Sequence, residues 1–232
     1  MSRPNLPALL TACLAVAITA AGMVFAWSLR PDDTAERGVS PTQDELRCGP
    51  TACQVVVSAD VGRDTVAVLV GQAAGVGGPG QGAGRISTNG ASGRNIFELT
   101  IAEQGAAITD GSLECVDAEV AVCLVRGPAR SEVLGEVLVR RSGAWSRAQV
   151  PYVAGGGYLG LHDVDADGVA DVVAVQRACA PGVDCARRFA QVFSLVGPST
   201  DLGCTAVVPE ASQLPGWPAV QPARNQLRPC GE

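Results

Sequence analysis

A run of evenly spaced carboxylates in the second half of the chain constrains its fold more than any other feature. The run is Asp163-Val164-Asp165-Ala166-Asp167-Gly168-Val169-Ala170-Asp171, and it is followed by Val172-Val173-Ala174-Val175. Carboxylates at every second residue can point at a common centre in a tight loop, and the glycine adopts turn conformations that a Cβ disfavours. Hard oxygen ligands suit Ca²⁺, which takes roughly six to eight of them. The run predicts a calcium-binding turn before a strand; the alternative is a solvated acidic turn without metal.

The loop begins like an EF-hand but does not end like one. Position 12, counted from Asp163, is Ala174 instead of the bidentate glutamate, and a strand-like run takes the place of a helix. Over residues 158–176 the arrangement resembles the calcium loop of the FG-GAP/VCBS family, the repeats of integrin-like β-propellers. That resemblance implies a loop between two strands of a blade. The implied ligands are the side chains of Asp163, Asp165, Asp167 and Asp171 and the main-chain carbonyl of Val169.

Composition and a weak internal repeat predict an all-β domain. Hydrophobic residues make up 47% of the chain but aromatics only 4%, so the core must be built mainly from Val, Leu, Ile and Ala. Apolar runs begin at Val66, Val120 and Val169, about every fifty residues, each with acidic residues just upstream. Three such units are fewer than the roughly four to eight blades of a closed propeller. We therefore expect blade-like repeats in a partial or divergent β-propeller, with a two-sheet β-sandwich as the alternative.

The N-terminal region predicts a single membrane anchor. Residues 8–29 carry no charge and are long enough to cross a bilayer as one helix, with Trp27 near the outer end. We expect a cytoplasmic tip at 1–7, the transmembrane anchor at 8–29 and a flexible stalk at 30–47. The β domain would then cover 48–208, outside the cytoplasm, and a proline-rich tail 209–232 would lie on its surface. A cleaved signal peptide, or lipidation at Cys13, remains an alternative to the anchor.

The cysteines predict disulfides and an oxidising compartment. Apart from Cys13, the cysteines are even in number, and no CxxC pair exists that would favour zinc. Connectivity cannot be deduced in principle, but the cysteines fall into close neighbours along the chain. Spacing favours the pairs Cys48–Cys53, Cys115–Cys123, Cys179–Cys185 and Cys204–Cys230.

Little in the sequence indicates catalysis or nucleic-acid binding. The net charge is −6, no basic patch with interleaved aromatics occurs, and His162 is the one histidine. The anchor, the cysteines and the resemblance to FG-GAP/VCBS repeats, which commonly serve adhesion or recognition, together imply a non-enzymatic, Ca²⁺-stabilised module at the cell surface that recognises a protein or glycan. The alternatives are a cell-envelope hydrolase or its accessory domain, recognisable by paired carboxylates in one cleft, and a structural envelope protein without a specific ligand. We expect Trp217 in the tail to plug a hydrophobic groove.

Overall fold

The structure, a computed structural model, describes residues 47–48, 51–71, 82–148, 151–179, 186–196 and 200–231. Residues Gln43–Glu232 belong to one compact unit. The predicted cytoplasmic tip, the anchor and nearly all of the stalk lie outside the described residues. Among the residues that are described, no helix has the length and apolar character needed to cross a membrane.

The described chain is all-β, as predicted, and is arranged in three antiparallel sheets, none of them closed. The first sheet contains β1 Arg47–Cys48, β2 Thr51–Val61, β3 Asp64–Gly71, β4 Gly84–Gly90 and β5 Asn95–Leu99. The second contains β6 Leu113–Val116, β7 Ala121–Ala129, β8 Glu132–Arg141, β9 Ala144–Arg147 and β10 Tyr152–Ala154. The third contains β11 Leu159–His162, β12 Asp171–Arg177, β13 Arg188–Ser194 and β14 Thr200–Cys204. Short helical turns are α1 Thr100–Glu103 and the 3-10 turns Ala211–Gln213 and Arg224–Gln226.

Within each sheet, strands consecutive in the chain pair as antiparallel neighbours, apart from β9 and β10. The first sheet has the order β1-β2-β3-β4-β5 and the third has the order β11-β12-β13-β14. In the second sheet β6, β7 and β8 pair in turn, and both β9 and β10 pair with β8. The three apolar runs predicted as repeats form β3, β7 and β12. Each of them pairs with the strand that precedes it in the chain, which is β2, β6 or β11 respectively. The described residues thus form three sheets, whereas a sandwich has two.

The middle sheet is buried on both faces because its side chains alternate between two cores. In β7, Ala121, Cys123 and Val125 pack in the cluster formed with the first sheet. Val122 and Leu124 pack in the cluster formed with the third sheet. Side chains of successive strand residues point to opposite faces, so the unbroken apolar run of β7 fits a strand covered on both sides.

The third sheet is covered by the second sheet on one face and by the C-terminal tail on the other. Val172 and Ala174 of β12 face the second sheet. Val173 and Val175 pack instead with Leu214 of the tail. The prediction for Trp217 was wrong: its side chain is 43% exposed and plugs no groove. Apolar contact on this face of the third sheet is supplied by smaller tail residues, Leu214 and Val220.

Three disulfides join the cysteine pairs expected from spacing. They are Cys48–Cys53, Cys115–Cys123 and Cys204–Cys230. Cys123 lies in β7 directly opposite Cys115 in β6, and Cys204 in β14 ties down the end of the tail. Cys179 is also disulfide-bonded, but Cys185 lies outside the described residues, so the pair Cys179–Cys185 stays a prediction.

Candidate metal centre

The predicted calcium loop connects β11 to β12 and gathers carboxylates at one point. Asp163, Asp165 and Asp171 each offer one oxygen, and these oxygens lie within 4.8 Å of one another. Asp163 is exposed, Asp165 is half-buried and Asp171 is completely buried. Three carboxylate oxygens so close together repel one another unless a proton or a cation intervenes.

The loop is held in shape by hydrogen bonds from its own main chain to its carboxylates. The N–H of Gly168 donates to Asp163 (3.1 Å), and that of Asp167 donates to Asp165 (3.3 Å). Ala166 and Gly168 both have positive φ, of 60° and 84°. The glycine adopts this conformation freely, whereas the alanine is strained there. The chain therefore bends back on itself so that alternate carboxylates turn inward.

Asp171 is the least satisfied carboxylate of the loop. Its Oδ2 accepts a hydrogen bond from the N–H of Val164 at 2.9 Å. Its Oδ1 is buried and has no hydrogen-bond partner within the described part of the chain. Burial, together with the charges of Asp165, Asp167 and Asp163, raises the pKa of Asp171 to about 6 against the opposing hydrogen bond from Val164. A buried carboxylate oxygen without a donor is costly, and a cation at this point would relieve the cost.

The remaining two predicted ligands have less direct support. Asp167 is not a member of the carboxylate triad, and its Oδ1 accepts a hydrogen bond from the N–H of Val169 at 2.8 Å. The side chain of Val169 is buried in the core between the second and third sheets. The ligand role of the Val169 carbonyl stays a prediction.

The residues present suit a hard divalent cation. Their donor set is carboxylate oxygen, which Ca²⁺ prefers, and it contains no thiolate or imidazole of the kind that favours zinc. Asp171, one of the three clustered carboxylates, also has a buried oxygen without a hydrogen-bond partner among the described residues. Asp163, Asp165 and Asp171 are the residues that would hold the ion.

Two other buried carboxylates, Asp64 and Glu136, were not singled out by the sequence. Asp64 begins β3 and accepts hydrogen bonds from Ser92, Trp145 and Arg140. The sequence offers one signal, because Asp64 stands at the head of an apolar run as Asp171 does. Nothing in the sequence indicates its arginine partner, which is 76 residues away.

Glu136 lies at a cleft beside α1 and β9, and the hydrolase alternative stays a prediction. The cleft has a volume of about 400 Å³ and is lined by Thr100, Glu136, Arg147, Ala148 and Pro151. Glu136 Oε1 accepts from the Thr100 hydroxyl (2.6 Å) and the Ile101 N–H (2.9 Å), and Oε2 from Arg147 (3.0 Å). Of these described lining residues Glu136 is the one carboxylate, so the cleft offers no acid pair for glycoside hydrolysis.

Comparison with known proteins found no relative of this chain. No protein-family model, no curated protein and no solved structure matches the chain. Fold and site together define an all-β domain of stacked meanders with a candidate cation loop. The resemblance to FG-GAP/VCBS repeats stays a prediction that rests on residues 158–176.

Proposed function

We propose that this protein is a Ca²⁺-stabilised, disulfide-bonded recognition module held outside the cytoplasm by its N-terminal segment. The observation that carries the proposal is the buried Asp171, whose Oδ1 has no hydrogen-bond partner among the described residues and whose carboxylate is clustered with those of Asp163 and Asp165. A cation at this point supplies the positive charge that the local main chain does not. The loops around it then form a rigid surface able to bind a protein or a glycan.

Calcium suits this loop better than magnesium. Mg²⁺ requires near-ideal octahedral geometry and gives up its waters reluctantly, whereas Ca²⁺ accepts irregular sets of carboxylate, carbonyl and water oxygens. The three clustered carboxylates lie on a loop that also carries Asp167 and the carbonyl of Val169, so an irregular set is available. The exposure of Asp163 leaves room for water ligands.

The stacked meanders support a partial or divergent β-propeller. If the two-residue β1 is left out, the apolar run is the second strand of each sheet (β3, β7 and β12), and β6 is in contact with both β2 and β11. In a propeller the first strands of successive blades lie side by side around the axis, so these contacts are the ones expected. The candidate metal loop joins the first two strands of its sheet, as it does in the FG-GAP/VCBS repeats that the sequence resembles.

The compartment follows from the same features. Disulfides persist in oxidising surroundings, and the described residues contain three complete pairs. Residues 8–29 would hold the domain at the membrane with residues 1–7 in the cytoplasm. Protein and glycan ligands at the cell surface are therefore the relevant partners, and nucleic acid is not.

A calcium titration followed by thermal melting tests the metal site. For the full-length chain with intact disulfides, we expect saturating Ca²⁺ to raise Tm by about 5–10 °C over a chelator. Asp171→Asn should abolish this gain and, in chelator, melt at or above the wild type because a buried unpaired charge is removed. Asp110→Asn, an exposed aspartate outside the loop, is the matched control and should keep the full gain. A wild-type Tm that Ca²⁺ leaves unchanged would contradict the site.

Recognition needs a separate measurement. Immobilised full-length chain should retain a ligand from a cell-surface extract in Ca²⁺ and release it in chelator. Asp171→Asn should retain none under either condition, while Asp110→Asn should behave as wild type. Recovery of nothing by the calcium-loaded wild type would favour the structural envelope protein instead.

A further inference from the structure

The guanidinium of Arg140 lies among oxygens from two different sheets. Its Nη1 donates to the carbonyl of Val61 at 2.8 Å and to Asp64 Oδ2 at 3.2 Å. Its Nη2 donates to Asp117 Oδ1 at 3.2 Å. Arg140 belongs to the second sheet, as β8 ends with it and Arg141, while Val61 and Asp64 belong to the first. Two carboxylates and a main-chain carbonyl thus surround one cation, and these are the ligand types expected around Ca²⁺ in the loop at 163–171.

The acidic residues of this cluster hold the same places in their sheets as the candidate metal ligands do in the third. Asp64 is the first residue of β3, and Asp171 is the first residue of β12. Asp117 lies in the connection from β6 to β7. All three therefore lie in, or directly after, the connection between two successive strands of their sheet: β2 and β3, β6 and β7, or β11 and β12.

The two buried aspartates differ in how fully they are hydrogen-bonded. Asp64 accepts from the N–H of Ser92 (2.8 Å), the hydroxyl of Ser92 (2.5 Å) and the indole N–H of Trp145 (3.0 Å), in addition to Arg140. The guanidinium carbon of Arg140 also lies 5.6 Å from the centre of the Trp145 ring. Asp171 has one main-chain donor and an oxygen without any among the described residues.

We propose that the turn between β2 and β3 is a second cation site of the same chemical class as the calcium loop, occupied by the guanidinium of Arg140 instead of a metal ion. The arginine ties the first sheet to the second, because its planar fork reaches Asp64, Asp117 and Val61 at once. This site is independent of calcium binding at residues 163–171. Chelator should therefore leave the junction of the first two sheets intact.

Removing the guanidinium and returning it as a free ion tests the site. The full-length Arg140→Ser variant should melt roughly 10 °C below wild type, since it leaves a buried carboxylate without its cation. Guanidinium chloride at a concentration twice its dissociation constant should restore about 2 °C. Urea, the neutral molecule of nearly the same shape, should restore nothing at equal concentration. All melts are run in chelator, so that the result does not depend on the proposed calcium site.

Two further variants test whether the rescue depends on Asp64 and Arg140, and a lysine and a glutamine variant cover the case in which Arg140→Ser does not fold. The doubly substituted chain with Asp64→Asn and Arg140→Ser should show no rescue, because the buried negative charge is gone. Arg63→Ser, an exposed arginine in the same turn, should melt like wild type and show no rescue. The proposal is overturned if guanidinium and urea act alike on folded Arg140→Ser, or if rescue persists without Asp64. If Arg140→Ser does not fold, Arg140→Lys should melt above the neutral Arg140→Gln, and equal or lower melting would overturn it.

Discussion

Asp64 and Asp171 are the first residues of equivalent strands, β3 and β12, and their surroundings shift their pKa values in opposite directions. Burial alone would raise the pKa of Asp64, but hydrogen bonds from Ser92, Trp145 and Arg140 outweigh it and lower the pKa to about 2. Burial and neighbouring carboxylates raise the pKa of Asp171 to about 6. The same residue type at the same place in a sheet therefore stabilises the fold in one case and burdens it in the other.

The depressed pKa of Asp64 predicts acid sensitivity. Its folded-state pKa lies below the unfolded value of 3.8, so the unfolded chain binds more protons between the two values. The stabilisation, about 2 kcal/mol, is present above pH 4 and is lost as the pH falls towards 2. Denaturant unfolding from pH 2 to 6 should show that the free energy of unfolding depends less on pH in Asp64→Asn than in wild type. Asp110→Asn should show the same pH dependence as wild type. Parallel curves for Asp64→Asn and wild type would contradict the assignment.

At the scale of single elements, close approach of the stacked sheets depends on particular glycines. Gly135 in β8 has no space for a side chain: an added Cβ would lie 2.4 Å from Leu159 and 2.9 Å from Leu124. β11 therefore packs directly on the backbone of β8. A glycine within a strand weakens it in isolation, so its presence here marks a contact between sheets.

Gly135→Ala should therefore destabilise the domain. Overpacking of a close contact costs about 1–3 kcal/mol, and the leucines on both sides are buried. Gly111→Ala is the matched control, because its nearest neighbour, the Thr109 hydroxyl, is 3.8 Å away and the φ is not positive. Urea unfolding of the two variants should separate them by at least about 1 kcal/mol. An equal loss in both would show that the contact at Gly135 relaxes freely.

The Cys204–Cys230 disulfide holds the tail over the outer face of the third sheet. Its cysteines are 26 residues apart, against 5 for Cys48–Cys53. Loop-closure entropy then predicts a loss of about 3.5 kcal/mol for Cys230→Ser with Cys204→Ser, and about 2 kcal/mol for removal of the shorter bridge. Urea unfolding measures both losses. Limited proteolysis should also release the tail from the variant without Cys204–Cys230, but not from the variant without the shorter bridge. A larger loss of unfolding free energy from removing the shorter bridge would contradict the prediction.

At the scale of the whole molecule, the domain consists of three sheets stacked with a core at each junction. The tail supplies a further core on the third sheet, whereas Val55 on the first sheet is 59% exposed. Calcium would act at one place in this stack, the turn entering β12. Its effect on the whole molecule therefore depends on how well the three sheets are tied to one another.

Location of the domain outside the cytoplasm is the prediction that belongs to this scale. A reporter enzyme active only outside the cytoplasm, fused after the last residue, should be active when joined to the full-length chain. A reporter active only inside should be silent at the same position. The reverse result would contradict a location outside the cytoplasm. The oxidising surroundings that favour disulfides, the millimolar calcium and the surface ligand all depend on that location.

The local parts of this structure could be predicted from the sequence, because they depend on residues a few positions apart. The alternating carboxylates, the glycine turn and the valine run all lie within about a dozen residues. The disulfides in which both cysteines are described either join close neighbours in the chain or tie down the tail. Strand-like runs separated by turns likewise predicted the all-β class. Only the tertiary structure decided that Arg140 bridges Asp64 and Asp117, that Glu136 is satisfied by Thr100 and Arg147, and that Trp217 is exposed. Those outcomes depend on which faces of separate sheets meet and in what register, which no run of neighbouring residues determines.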